Sequence, residues 1–490
     1  MKNLNNTTFL NLNIEFILRL YLSNILNNSC LTSLFNIGGI FLFKKMIGTV
    51  LAGMLLFSSF GAFNPHKAQA ASTLEIAEYW APEFYQDVND TYGYSADFVT
   101  NFDYDGDWVG NNNWENLNKY PMKSYIYYSV VETSSHYFIG YYDYHARDDG
   151  PTVFDKHEND LEGVLVIIRK DGTPYGTFQL METVAHNQFY QYTNDPSITT
   201  GADNIDGGAL FNGTHPKVFI QSNGQSPIGG HGNYAYDGTG APGGDGIVYY
   251  YGNRADVVTN ASGNYTNKYS YDLVSFDEFW KRRNDIGNGQ TFGSWGKLDG
   301  DTYQQDSAAM PWVWDDLDDN ATFAGDFLSD PAHMVDTHLN GLGNFSHTYI
   351  NHPYYSHRIQ VNSVTSLKNR DPFGGKSDIF VKIRVNGNGV SDDRLWKKND
   401  VPTNTAYNVA WGTMDATFGN QYSEYYNDRY VNIPANSQIN VEVYDSDGVD
   451  GDDEMGILSA YPVVGHTVEW NNTTTSNGEA KVKATIWAVR

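Results

Sequence analysis

The chain has 490 residues, with 31 Lys and Arg against 58 Asp and Glu and a formal net charge of −27. That balance argues against a nucleic-acid partner, whose phosphates require a basic surface, and against direct contact with anionic lipid unless cations intervene. Abundant Gly, Asn and Tyr beside a single cysteine, Cys30, describe a mainly β, loop-rich chain whose stability does not come from disulfides.

Residues 1–41 are rich in Asn, Leu and Ile without a period, and they precede an export signal that belongs at a true N-terminus. Lys44-Lys45, the charge-free run 46–63 and Ala68-Gln69-Ala70 form the basic, apolar and small-x-small parts of a signal peptide over 42–70. Gly38-Gly39 can be encoded by a ribosome-binding sequence and Leu42 by TTG, so initiation at Leu42 is expected; a gene lacking both would remove that expectation. The expected mature chain, 71–490, is secreted and free of cysteine, as suits a Gram-positive bacterium. It carries 26 Lys and Arg against 57 Asp and Glu.

A short helix is predicted around 74–80. Alternating aromatic segments at 125–131 and 136–142 predict paired strands, and Val164-Leu165-Val166-Ile167-Ile168 a fully buried one. Asp171-Gly172 then marks a hairpin turn, with return over 177–183. Strands follow at 217–220 and 247–251, around a Gly-rich loop at 221–246 long enough to be functional. Short helices are predicted at 276–283 and 326–339. A fresh strand pattern from about 358 to 490 has the size of one sandwich domain. The fold class is therefore mainly β: a sandwich-like module over 71–355, then an antiparallel sandwich over 358–490.

The first module concentrates histidine and carboxylate at strand ends. In His157-Glu158-Asn159-Asp160-Leu161-Glu162, strict alternation puts His157, Asn159 and Leu161 on one face and Glu158, Asp160 and Glu162 on the other. His145 and Asp148 close the preceding strand, His186 closes the return strand, and His231 lies in the Gly-rich loop. Such groups can form a cation site or an acid–base pair. Asp103, Asp105 and Asp107 alternate as well, though an Asp- and Gly-rich turn explains them. No His-Glu-x-x-His, Gly-x-Ser-x-Gly or P-loop occurs.

The second module carries Asp371, then Gly375-Lys376-Ser377-Asp378 ahead of a strand, then Asp445-Ser446-Asp447 and Asp453 before Gly456. Calcium requires several hard oxygen ligands, which alternating loop carboxylates supply; an EF-hand is excluded because Gly456 stands where its closing Glu belongs. This order resembles a C2 domain, with Ile379-Phe380 where Pro-Tyr is usual. The resemblance implies Ca2+ ligands at Asp371, Asp378, Asp445, Asp447 and Asp453, and docking to phospholipid.

Over 80–355, Asn159-Asp160-Leu161-Glu162, His186 and His215-Pro216-Lys217-Val218-Phe219…Gly229-Gly230-His231 resemble the vacuolar protein sorting-associated protein 62-related proteins. More distantly they resemble the necrosis-and-ethylene-inducing-peptide-like cytolysins, with Leu161 in place of Trp. That resemblance implies a second divalent cation, Ca2+ or Mg2+, at His157, Asp160, Glu162 and Asp148, and a glycolipid headgroup as target. Three functions are expected in turn: a secreted, toxin-like binding effector at a membrane or glycolipid surface; a secreted hydrolase acting on a glycan, lipid or phosphoester through Asp160, Glu162, His186 and His231; and an envelope or spore-surface protein.

Overall fold

The computed structural model describes residues 71–489, apart from 92, 150–155, 202, 224–229, 302–307, 317–324, 371–375, 386–387, 410–430 and 447–451. The doubtful leader 1–41 and the signal peptide expected over 42–70 lie outside the described residues. The first helix, α1 (Thr73–Trp80), opens on a capping box: Ser72 Oγ accepts from the Glu75 amide while Glu75 accepts from the Ser72 amide at 2.7 Å. Ile76, Ala77 and Trp80 bury its inner face, and Trp80 Nε1 donates to the Tyr175 carbonyl at 2.8 Å.

One mixed 14-stranded sheet follows. Its principal strands are β1 (Glu83–Asp87), β2 (Tyr125–Thr133), β3 (His136–Asp149), β4 (Lys156–Arg169), β5 (Thr177–Ala185), β6 (Gln188–Tyr192), β7 (His215–Ile220), β8 (Asn233–Ala235), β9 (Gly246–Tyr251) and β10 (Asn267–Ser275). Their spatial order is β8-β7-β1-β9-β10-β2-β3-β4-β5-β6. β2 to β6 form an antiparallel meander, whereas β1–β7, β9–β10 and β10–β2 pair in parallel. The predicted core strand 164–168 is buried throughout. His186 and Asn187, at φ +55° and +59°, make the two-residue turn between β5 and β6. Positive φ at both positions matches the right-handed twist of the strands.

The sheet curls until the segment before β8 returns to β5. A Cβ on Gly232 would stand 2.7 Å from the Ala185 Cβ, so glycine is required at this approach. Tyrosines fill much of the interior, and several of the buried rings find a hydroxyl partner: Tyr141 donates to the Ala77 carbonyl, Tyr271 to Pro82 and Tyr144 to Asn159.

The Gly-rich stretch 221–246 contains β8 and a short helical turn at Pro242–Gly244. The helix predicted at 276–283 is one turn, Asp277–Trp280. That at 326–339 is two, Asp326–Ser329 and Pro331–His338, because Pro331 has no amide to donate and Asp330 before it is non-helical at φ −147°.

Two further sheets face each other over one core. In the first, β11 (Tyr355–Ser366) pairs with β16 (Ala480–Ala488), which pairs with β15 (Val468–Thr474); in the second, β12 (Ser377–Val385) pairs with β13 (Ile439–Asp445), which pairs with β14 (Asp453–Ala460). Ile359, Val361, Val482 and Ile486 meet Ile379, Val381, Val441 and Val443 inside this sandwich. The change of core falls within β11: Tyr355 packs with the curled sheet, Ile359 with the sandwich. At that crossing Arg358 lies 3.0 Å from Asp330, which also accepts from the Tyr349 hydroxyl at 2.5 Å.

Candidate functional site

β3 and β4 place Asp143 opposite Glu162, His145 opposite Asp160 and Asp148 opposite His157. The strict alternation predicted for 157–162 does not hold. Asn159 adopts φ +54°, a conformation Asn tolerates better than other side-chain-bearing residues. Its amide donates to the carbonyls of Gly110 and Asp299, and its oxygen accepts from Asn113 and Tyr144. This inversion turns Glu158 away, where it accepts the Trp114 and Asp301 amides at 2.9 and 2.8 Å. His157 instead joins the Asp160 side, with Nε2 3.5 Å from Asp148.

His231, carried over by the returning loop, reaches Asp160: Nδ1 donates to Oδ2 at 2.7 Å. Its Nε2 lies 3.4 Å from Asp97 and 3.2 Å from the Asn223 amide. Burial alone would lower this imidazole, but the two carboxylates push it up to about 10. Burial alone would raise Asp160, yet the hydrogen bond and charge of His231 hold it well below the usual carboxylate range. The pair is an imidazolium and a carboxylate. His145 stacks on His231 at 3.7 Å and 5°, and burial and the charge of His231 lower its pKa from the usual value. Asp143 receives the His145 Nε2 at 3.2 Å and the Asn233 amide at 2.7 Å.

Asp148 is 7% exposed and its Oδ1 has no hydrogen-bond partner among the described residues. Burial, then the Asp160 charge, pushes this carboxyl up to about 7. Glu162 sits partly exposed at the mouth of the cluster, raised well above its usual range by its packing and by Asp160 and Asp143. His186 lies beyond: its Nε2 meets Gln221 Oε1 at 2.9 Å, and a Cβ on Gly230 would stand 3.3 Å from Asp148 and 3.4 Å from the His186 ring. The structure thus brings Asp148, His157, Asp160, His231 and Glu162 together with His186 at the margin. His231 has no exposed surface and stands behind the carboxylates, out of reach of a substrate. Among the described residues, no three His, Cys, Asp or Glu side chains stand in a ready metal-ligating arrangement.

In the sandwich, Asp378, Asp445 and Asp453 lie at the same end of neighbouring strands, with Ile379 opposite Asp445 and Asp445 opposite Asp453. Asp445 Oδ1 accepts the Asp378 amide at 2.6 Å, and Asp378 Oδ1 accepts the Asp400 amide at 2.8 Å. Asp453 is half exposed, 3.8 Å from Arg370. Asp371 and Asp447 lie outside the described residues. Asp105 and Asp107 accept amides two residues ahead, at 3.2 and 2.9 Å, and Asp103 the side-chain amide of Asn101, which is the chemistry of a turn.

Sequence reading missed Asp97, Asp143, Asn223 and Asn233. The alternation Asp143-Tyr144-His145 facing Asp160-Leu161-Glu162 was a usable signal for Asp143; Asp97 precedes a two-residue strand and offered none.

No family model matches the chain, and no curated protein matches it. Among solved structures, human GIVD cytosolic phospholipase A2 is similar at 12% identity and TM-score 0.21, over 28% of this chain and 16% of that one. A C2 domain of plant Extended Synaptotagmin 1 is similar at 15% identity and TM-score 0.20, over 28% of this chain and 96% of that one. The non-toxic HaNLP3 protein is similar at 16% identity and TM-score 0.23, over 46% and 89%. The chain therefore spans only about a sixth of the phospholipase structure's length.

Proposed function

We propose that this chain is an exported, toxin-like effector that binds a membrane or glycolipid surface through divalent cations. The observation that carries the reading is Asp148: a buried carboxylate oxygen without a hydrogen-bond partner among the described residues, set among His157, Asp160 and Glu162. Such an oxygen is costly to leave unmet, and a hard cation is the ligand that meets several carboxylates at once. The three carboxylates are hard oxygen donors of the kind Ca2+ or Mg2+ takes, with the His157 imidazole beside them. His231 would act behind them, keeping Asp160 ionised and oriented. A bound cation supplies a positive centre that phosphate or sugar hydroxyl oxygens can ligate.

Asp378, Asp445 and Asp453, with Asp371 and Asp447 added by sequence, would be the Ca2+ ligands of the sandwich. Cations at both places would also offset the self-repulsion of a −27 chain approaching an anionic surface.

The test is co-sedimentation with vesicles of phosphatidylcholine, phosphatidylserine or added glycosphingolipid, in calcium, in magnesium and in chelator. Binding should require the cation. Asp445→Asn/Asp453→Asn should reduce phosphatidylserine binding at least tenfold, and Asp148→Asn/Glu162→Gln should remove the preference for glycosphingolipid. Equal binding in chelator on every vesicle would discard the reading.

A further inference from the structure

A cleft of about 420 Å³ opens beside β1, β7, β9 and β10, away from every residue of the acidic cluster. It is lined by Glu83, Asn212, His215, Tyr250, Tyr251 and Lys268. The volume is that of a small-molecule site.

Glu83 is only 4% exposed. Its Oε1 faces Lys268 Nζ at 3.9 Å, and its Oε2 has no hydrogen-bond partner among the described residues. The backbone around it is well used, since β1 is paired on both sides, so the free oxygen belongs to the side chain alone. His215 Nδ1 lies 2.6 Å from the Ala81 carbonyl and must carry the hydrogen there, which leaves Nε2 as an acceptor in the neutral ring. Tyr251 is fixed by its hydroxyl, which donates to Glu78 at 2.6 Å, whereas Tyr250 is 37% exposed.

We propose that this cleft binds a neutral saccharide. Glu83 and Lys268 offset each other in charge within the cleft, and the acidic chain as a whole disfavours an anion there. Acceptors on Glu83 and His215, donors on Lys268, and both kinds on Asn212 match adjacent ring hydroxyls, each of which gives one hydrogen bond and takes another. The exposed Tyr250 ring offers a flat apolar surface to the C–H face of a pyranose. The inference stands apart from the cation-dependent reading and survives its failure.

The experiment is ligand-observed saturation-transfer NMR and calorimetry on the full chain with the methyl glycosides of glucose, galactose, mannose and N-acetylglucosamine, and with choline as the cationic comparison. At least one glycoside is expected to saturate a single site. Tyr250→Ala, whose ring is largely on the surface, and Glu83→Gln should each weaken it at least tenfold at unchanged melting temperature. Chelator and Asp148→Asn/Glu162→Gln should leave it unaltered. Absence of transfer to every glycoside, tighter binding of choline than of any sugar, or full binding by a folded Tyr250→Ala would overturn the proposal.

Discussion

Asp160 is a buried strand residue of the curled sheet with the His231 imidazolium 2.7 Å away, whereas Asp453 stands half in water at a strand end of the sandwich, 3.8 Å from Arg370. The two carboxylates are the same group, but the first sits in a buried ion pair and the second borders solvent. In a medium that screens poorly, charge and hydrogen bonding must be settled inside the fold; at an exposed strand end, water settles them. A carboxylate at an exposed strand end thus takes its place at little structural cost, whereas an acidic cluster in the interior must be built with partners.

The largest expected effect breaks the interior network. His231→Ala leaves Asp160 and Asp97 buried without their imidazolium and should cost about 3–5 kcal/mol, read by urea unfolding. A loss below 1 kcal/mol would show that the pair is not ionic in the folded chain. A second interior pair tests the same idea by pH. Burial would lower His338, but Glu182, 3.1 Å away, and Asp316 push it up to about 9 from 6.5. Because the folded value is raised, the stability from this pair is complete below about 6.5 and is lost as pH climbs through about 9. The melting temperature should fall more steeply from pH 7 to 10 in the wild type than in Glu182→Gln/His338→Gln; parallel curves would refute it.

Asp148→Asn should act in the opposite sense. Removing a crowded, unmet carboxylate should stabilise the cation-free chain by about 1 kcal/mol and abolish any rise in melting temperature on adding calcium or magnesium. Asp453→Asn, at the exposed rim, should change stability by no more than about 0.5 kcal/mol, and a larger loss would mean that the rim is as tightly coupled as the interior.

Local patterns were legible where local physics decides. The apolar run 164–168 could only be buried, the short helix expected around 74–80 is α1, and the strand expected after Asp378 lines the sandwich core with Ile379, Val381 and Ile383. Alternation failed at Asn159, because a positive φ carries no signature beyond the tolerance of Asn for it. The expected short helices were trimmed where Pro331 interrupted the hydrogen-bond ladder. Parallel pairing of β1 with β7 and of β9 with β10 was not legible either, since no turn links those strands.

By itself the residue order determined the β character, the acidic balance, the separate acidic loops of the second module and the closeness of Asp160 to Glu162. Only tertiary structure decided that His231, 71 residues from Asp160, would donate a hydrogen bond to it, that Asp97 would stand on the far side of the same ring, and that Asp148 would have an oxygen unmet among the described residues. The reason is that coupling between charges depends on distance through a poorly screening interior, and the curl of one sheet sets those distances.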